Sequence, residues 1–174
     1  MPRDAHRFLR LHTPCGPDVL VAETLDGVEQ IDGLGFQWTI TALSLDAGLA
    51  LAPLIGQGAL LQLQQADGSV RPLHGRITAA ERLGGNGGLA RYRLRLQPWL
   101  AFLSQRVDSY VFHDKTVVEI VEDLFADYSG LAPAWRWSLG DASQYARRSL
   151  TTQYQESDLA FVQRLLAEEG IYYW

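Results

Sequence analysis

Alternating apolar and polar residues dominate the first hundred positions of this 174-residue chain. Within residues 35–41, Phe36, Trp38 and Ile40 would share one side of an extended backbone, and polar residues stand between them. Residues 89–96 alternate in the same way. Because successive side chains of a strand point to opposite faces, both segments are predicted to be half-buried β-strands.

Short turn sequences separate the predicted strands. Asp67-Gly68 is a strong hairpin signal, and the glycine cluster 84–88 predicts the tip of a second hairpin. Residues 43–57 are predicted to be a loop with one helical turn, whereas residues 99–103 fit either a final strand or a short helix. With that segment there are about seven strands, which predicts a small antiparallel barrel or a sandwich. The other predicted strands are 8–12, 19–24, 35–41, 59–65, 70–79 and 89–96.

Two amphipathic helices are predicted in the second part of the chain. Thr116 and Glu119 form a capping box, and apolar residues follow at helical spacing up to the expected stop at Gly130. Ser157 is the predicted N-cap of the second helix, and Gly170 is its expected end. Residues 132–138 are predicted to form a loop leading to a possible short strand. Residues 141–152 are predicted to connect to the closing helix, and residues 171–174 to begin a strand. The fold class is therefore α+β and mainly β.

Composition restricts the function classes. Fifteen basic and twenty acidic residues give a formal net charge of −5, which does not favour nucleic-acid binding by the chain as a whole. The single Cys15 cannot form an internal disulfide or a cysteine metal cluster. We expect no secretory signal at the charged start of the chain, and no membrane insertion by this segment, because its longest apolar run is broken by proline and glycine.

No set of residues predicts catalysis, a metal site or a cofactor site. His113-Asp114 could supply a base and its orienting carboxylate, but adjacent residues point apart, so solvated residues before a helix are favoured. Glu168 and Glu169 lie in the last turn of a helix, where the macrodipole disfavours anions. Arg147, Arg148 or a neighbouring subunit is expected to compensate them.

Three arginines form a stripe on one predicted strand. Arg91, Arg93 and Arg95 alternate with the apolar residues of the segment 89–96. Two interpretations remain open: a solvated outer face, which is common for strands, or a lumen or subunit interface that needs positive charge. The aromatic Tyr92 points to the opposite face, which disfavours nucleic-acid stacking on this stripe.

The last stretch of the chain resembles a known family. The run from Tyr154 to Asp158, then Phe161, then Arg164 to Leu166, then Glu168 to Tyr173 is similar to the VgrG proteins, the trimeric spikes of the type VI secretion system. These proteins are related to the baseplate hubs of contractile phages. The residues that carry the resemblance are Tyr154, Glu156, Ser157, Asp158, Phe161, Arg164, Leu165, Glu168, Glu169, Gly170 and Tyr172.

The resemblance implies an organisation and a function. Residues 1–100 would form a first hub β-barrel, and residues 101–174 an incomplete α/β insert. Three copies would form a hub that caps a hexameric tube of Hcp protein, contacts baseplate proteins and helps to deliver effectors. Such a hub would assemble in the cytoplasm and then leave through the injection machine. The family motif would be structural, and the arginine stripe would line the lumen or a subunit contact.

Other readings remain as alternatives. A hub of a contractile phage tail or a tailocin has the same architecture as a secretion spike. An enzyme on a small barrel is disfavoured, because no nucleophile, base or metal set converges in the sequence. A ligand-binding barrel could use Trp38, Trp99, Trp135 and Trp137 for stacking, although such residues are more often core or interface anchors.

Overall fold

In the computed structural model, strand β6 (Ala90–Gln97) buries Tyr92, Leu94 and Leu96 completely and exposes the arginines between them. The predicted alternation is therefore confirmed. The structure describes residues 7–30, 33–85 and 87–173. These described residues divide into two compact units, one with residues 7–30 and 34–98 and the other with residue 33 and residues 99–173.

The first unit is a six-stranded antiparallel sheet curled into a half-barrel, with the strand order β1-β4-β5-β6-β3-β2. The mainly β fold class is confirmed, although the described residues of this unit form six strands rather than about seven. Strands β1 and β2 stand at the two ends of this order and do not pair as a hairpin across the Pro14–Pro17 turn. The remaining strands are β1 (Leu9–His12), β2 (Val21–Glu29), β3 (Phe36–Ser44), β4 (Gly58–Gln64) and β5 (Val70–Gly85).

The predicted turns fall between these strands. Gly68 has φ 84°, and the Asp67 carboxylate accepts a hydrogen bond of 2.9 Å from the backbone of Ser69, which confirms the β4–β5 hairpin. Strands β5 and β6 pair up to Gly85 opposite Ala90, so they too form a hairpin. Its tip includes Asn86, which lies outside the described residues. The predicted helical turn is the 3₁₀ helix Ala52–Leu54.

Close backbone packing shapes the core of the first unit. Gly27 pairs with Trp38, and a Cβ on residue 27 would lie 2.4 Å from the Trp38 ring. Only glycine therefore allows this indole to cover the neighbouring strand. The Tyr92 hydroxyl, buried with its ring, donates a hydrogen bond of 2.8 Å to the carbonyl of Asp46. A buried tyrosine thus keeps its polar group satisfied.

The second unit combines helices with a two-stranded antiparallel ribbon. Residues 99–103 belong to a 3₁₀ helix, Trp99–Gln105, so the helical alternative is correct. Strands β7 (Val107–Lys115) and β8 (Arg148–Ser157) form the ribbon. The α-helices are α1 (Val117–Ala126) and α2 (Asp158–Glu168). Among the described residues, no helix is long and apolar enough to cross a membrane.

Three predictions for the second unit are wrong. The ribbon was not expected, and β8 occupies much of the predicted connection 141–152. Polar Thr151 and Gln153 face the core while Leu150 and Tyr154 are exposed, so the usual burial pattern is inverted. Helix α1 ends at Ala126, before Gly130, because Asp127 already caps it. No strand forms at residues 171–173, since no described segment pairs with them, and Trp174 lies outside the described residues.

Both predicted helix starts are confirmed. The Thr116 hydroxyl accepts from the Glu119 backbone at 3.2 Å, and the Glu119 carboxylate accepts from the Thr116 backbone at 2.8 Å. This reciprocal pair satisfies two amides that have no partner within the helix. The apolar side of α1 packs with α2 in one core cluster, whose fully buried members include Ile120, Phe161 and Leu165.

Thr151 provides a test of this packing. Its hydroxyl is buried and finds no hydrogen-bond partner among the described residues. Replacement by valine, which has a similar shape, removes a desolvated polar group, so we expect Thr151→Val to raise the free energy of unfolding by about 1 kcal/mol. Denaturant titration of both proteins measures the difference. The control is Thr152→Val on the exposed face, which should change stability by less than about 0.5 kcal/mol. An equal gain in both variants would contradict the explanation.

Candidate functional site

The family-like motif begins where strand β8 runs into helix α2. The Ser157 hydroxyl accepts a hydrogen bond of 3.1 Å from the backbone of Ala160, which confirms the predicted N-cap. The next residue, Asp158, has a completely buried side chain. Its backbone amide donates to the carbonyl of Arg106 at 3.0 Å. The helix start is therefore tied to the segment just before strand β7.

Three side chains satisfy the buried Asp158 carboxylate. Its Oδ2 accepts hydrogen bonds from Arg106 Nε at 2.6 Å and from the Tyr128 hydroxyl at 2.5 Å. Its Oδ1 accepts from Gln153 Nε2 at 2.8 Å. A buried charge is costly unless it is paired and hydrogen-bonded, and this carboxylate has both kinds of partner. We call these four residues the Asp158 cluster.

The cluster joins elements that are far apart in the chain. Arg106 precedes β7, Tyr128 follows α1, and Gln153 belongs to β8. Burial and the hydrogen bond to Asp158 raise the pKa of Tyr128, so its hydroxyl stays a donor at neutral pH. The Arg106 guanidinium lies 5.4 Å from the centre of the Tyr128 ring and also reaches Asp127 at 2.8 Å. The arrangement fixes one geometry of the second unit.

Sequence reasoning identified Asp158 but not its partners. The donors lie 52, 30 and 5 residues away from it. No local period or spacing connects such positions. A buried acid at the first position of a helix does require a donor, and this requirement was the only available signal.

A second set of motif residues neutralises the end of helix α2. Arg148 donates to Glu168 and to Glu169, at 2.6 Å in each case. Arg164 donates to Glu156 at 2.6 Å and to Glu168 at 3.1 Å. The expected compensation of both glutamates is therefore confirmed, with Arg148 as the partner. The other candidate, Arg147, instead pairs with Glu119 at 2.7 Å and Asp114 at 3.6 Å.

The remaining motif residues divide between the core and the surface. Phe161 and Leu165 are fully buried, whereas Tyr154 and Tyr172 are about 70% exposed, at 69% and 71%. Gly170 has φ 68°, and the amide of Ile171 donates to the carbonyl of Leu166 at 2.8 Å. This is the expected glycine stop of a helix. The motif thus does not form one site; it builds a core, a helix start and a helix end.

Two of the three stripe arginines already have partners. Arg91 makes two hydrogen bonds of 2.8 Å with Glu23, and Arg93 makes one of 2.8 Å with Glu81. These cross-strand ion pairs raise the pKa of Arg91 and neutralise much of the stripe. Arg95 is exposed, and among the described residues no side-chain partner is found for it.

The other chemical candidates do not converge. Asp114 is 80% exposed and His113 stands on the ribbon, beside no described nucleophile. Among the described residues, no three His, Cys, Asp or Glu side chains are grouped to hold a metal ion. Trp99 and Trp135 pack on Phe125, with ring centres 4.7 and 5.1 Å away, as core anchors do.

Comparison with known proteins identifies the family. The sequence profile of the phage tail baseplate hub (GPD) family matches residues 28–174. The chain belongs to this family. VgrG1b and VgrG1a of Pseudomonas aeruginosa, both type VI secretion system spike proteins, are 34% and 31% identical to it over 97% of its length. The resemblance to VgrG is thereby confirmed, and the chain is a spike- or hub-like protein.

The match covers part of each relative. The chain spans 22% of VgrG1b and 25% of VgrG1a. In structure, it is similar to the E. coli c3393 protein, a component of the type VI secretion system with structural similarity to the T4 tail proteins gp27 and gp5. The TM-score is 0.76 at 28% identity, over 91% of this chain and 43% of that one. These relatives are described as components of spikes and tails, not as enzymes.

The Asp158 cluster predicts a large effect of one hub-family residue. Asp158→Asn should lower the free energy of unfolding by about 3 kcal/mol, because it leaves Arg106 without its buried partner. Chemical denaturation followed by tryptophan fluorescence measures the change. The control Glu156→Gln removes a charge from a partly exposed pair and should cost less than about 1 kcal/mol. Equal losses in the two variants would show that burial does not decide the energy.

The Arg148 contacts predict a pH dependence. Hydrogen bonding from Arg148 holds the pKa of Glu168 below its usual 4.5. A lowered folded-state pKa stabilises the protein above the unfolded pKa, and this stabilisation is lost as the pH falls through the folded value. We therefore expect Arg148→Met to lower stability at pH 7, and the difference from wild type to shrink below about pH 4.5. Urea titrations at a series of pH values measure it. Arg147→Met is the control for Glu168, and a constant difference at all pH values for Arg148→Met would contradict this origin.

Proposed function

We propose that this chain is a structural part of the hub of a type VI secretion spike. In this proposal three copies form the base that caps the Hcp tube and helps to deliver effectors. The observation that carries it is the 34% identity to a secretion spike protein over 97% of the chain. Because the chain spans only part of such proteins, assembly and partners are inferred from the relatives.

The geometry of the motif supports a mechanical role. Its charged residues pair with one another: Asp158 with Arg106, Arg148 with two glutamates, and Arg164 with Glu156. Such internal pairing spends the polar groups on holding elements together and leaves them unavailable for a substrate. On this view residues 1–100 are the first hub barrel and residues 101–174 the insert. The hub assembles in the cytoplasm and leaves with the tube.

Genetic removal tests the proposal in the cell that encodes the chain. With other spike genes absent, in-frame deletion of the 174 codons should abolish export of the Hcp tube protein, and re-expression should restore it. The supernatant is assayed for Hcp, with cytoplasmic Hcp as the control. Unchanged export would overturn a role in secretion. Loss of induced phage-tail particles instead would favour the hub of a contractile phage tail.

We further propose that Arg95 carries the positive charge through which the arginine stripe contacts the tube or a second subunit. Arg95→Ser should weaken co-sedimentation of the trimeric spike with Hcp tubes by roughly three- to tenfold at low salt, and less at high salt, because exposed charges are screened. Arg93→Ser is the matched control, since Glu81 already pairs with this arginine. If both variants bind like wild type, the stripe is only a solvated face.

A further inference from the structure

One face of the β7–β8 ribbon exposes an unusual number of large apolar side chains. Val107, Val111, Leu150 and Tyr154 are 64%, 39%, 56% and 69% exposed. The register places Val111 opposite Thr152, so Leu150 and Tyr154 are its diagonal neighbours. These four residues, the ribbon face, lie on the side opposite the buried Phe112 and Thr151. Contiguous exposed apolar residues of this kind indicate a protein contact.

The charges that border the ribbon face are already neutralised. Lys115 pairs with Asp123, Arg147 with Glu119, and Arg148 with Glu168. Of the described residues on the face itself, only His113 can change its charge near neutral pH. A partner of this face must therefore be apolar and nearly free of unpaired charge, because an unpaired charge would be desolvated without compensation.

The first unit carries a surface of that description. Leu43, Leu83 and Leu89 line a shallow groove of about 280 Å³ beside the backbone of Gly84 and Gly85, and we call it the leucine groove. Leu83 is 39% and Leu89 37% exposed. The only charged side chain that lines it is Arg91, which is held by two hydrogen bonds to Glu23. The groove is thus apolar and electrically neutral at its rim.

We propose that the ribbon face of one copy docks on the leucine groove of the next copy in the hub. A closed ring of three identical chains needs two unlike, complementary surfaces on each chain. The ribbon face and the leucine groove match in polarity and in charge. A groove of this volume accepts one or two aliphatic side chains, and Leu150 is the most exposed leucine of the ribbon face. The inference rests on the trimer of the proposed function.

Charge insertion tests both surfaces. Sedimentation equilibrium of the 174-residue chain over a concentration series gives the dissociation constant of self-association. Leu150→Glu and Leu83→Glu should each raise it at least tenfold, because each buries an unpaired carboxylate in the contact. Val70→Glu is the control, since Val70 is 53% exposed and belongs to neither surface. Circular dichroism verifies that all three variants are folded.

Cross-linking tests the pairing itself. In a Cys15→Ser background, a chain with Val111→Cys is mixed with a chain with Leu83→Cys and treated with a short bismaleimide. Dimers that contain one chain of each kind are expected, and neither chain alone should link to itself. Efficient self-linking of the Val111→Cys chain would overturn the proposal in favour of a two-fold contact.

Other outcomes also decide the proposal. A wild-type chain that stays monomeric at the highest concentration, or variants that associate like wild type, would overturn it. Variants that lose Hcp binding but keep self-association would assign the ribbon face to another protein. Export of Hcp in cells is measured independently, so a failed docking model remains distinguishable from a failed hub function.

Discussion

The second unit depends on a single buried carboxylate. Asp158 is completely inaccessible, and its two oxygens accept from Arg106, Tyr128 and Gln153. A carboxylate in such a place is costly without partners, so the segments that supply the donors must arrive together. A network of this kind excludes partly folded arrangements more strongly than apolar packing alone, because each missing donor leaves a charge or a polar group unsatisfied.

The two ends of helix α2 are thereby controlled by different physics. At its start, the side chains of Ser157 and Asp158 satisfy amides and join the helix to the core. At its end, Glu168 and Glu169 oppose the helix dipole, and Arg148 from strand β8 offsets them. The same strand therefore contacts both ends of the helix, through Gln153 and through Arg148. Helix and ribbon form one mechanical element.

Local rules predicted the parts of the chain that obey them. The alternation around Tyr92, the Asp67-Gly68 hairpin and the capping box of Thr116 follow from sequence neighbours, and each is present in the structure. The ribbon escaped prediction because its burial is inverted: Gln153 is buried by its bond to Asp158, whereas Leu150 is exposed. The donors of the Asp158 cluster escaped because long-range pairing leaves no periodic signal.

The same inversion links stability to assembly. Polar residues of β8 are drawn inward by the buried carboxylate, and since side chains alternate along a strand, Leu150 and Tyr154 must then point outward. An isolated domain would gain nothing from apolar side chains in water. A hub, whose copies meet one another, can use that face as soon as the charges around it are paired. The ion pairs of Arg147 and Arg148 meet this condition. The network that stabilises the fold of one chain thus also determines which of its surfaces is left for the next.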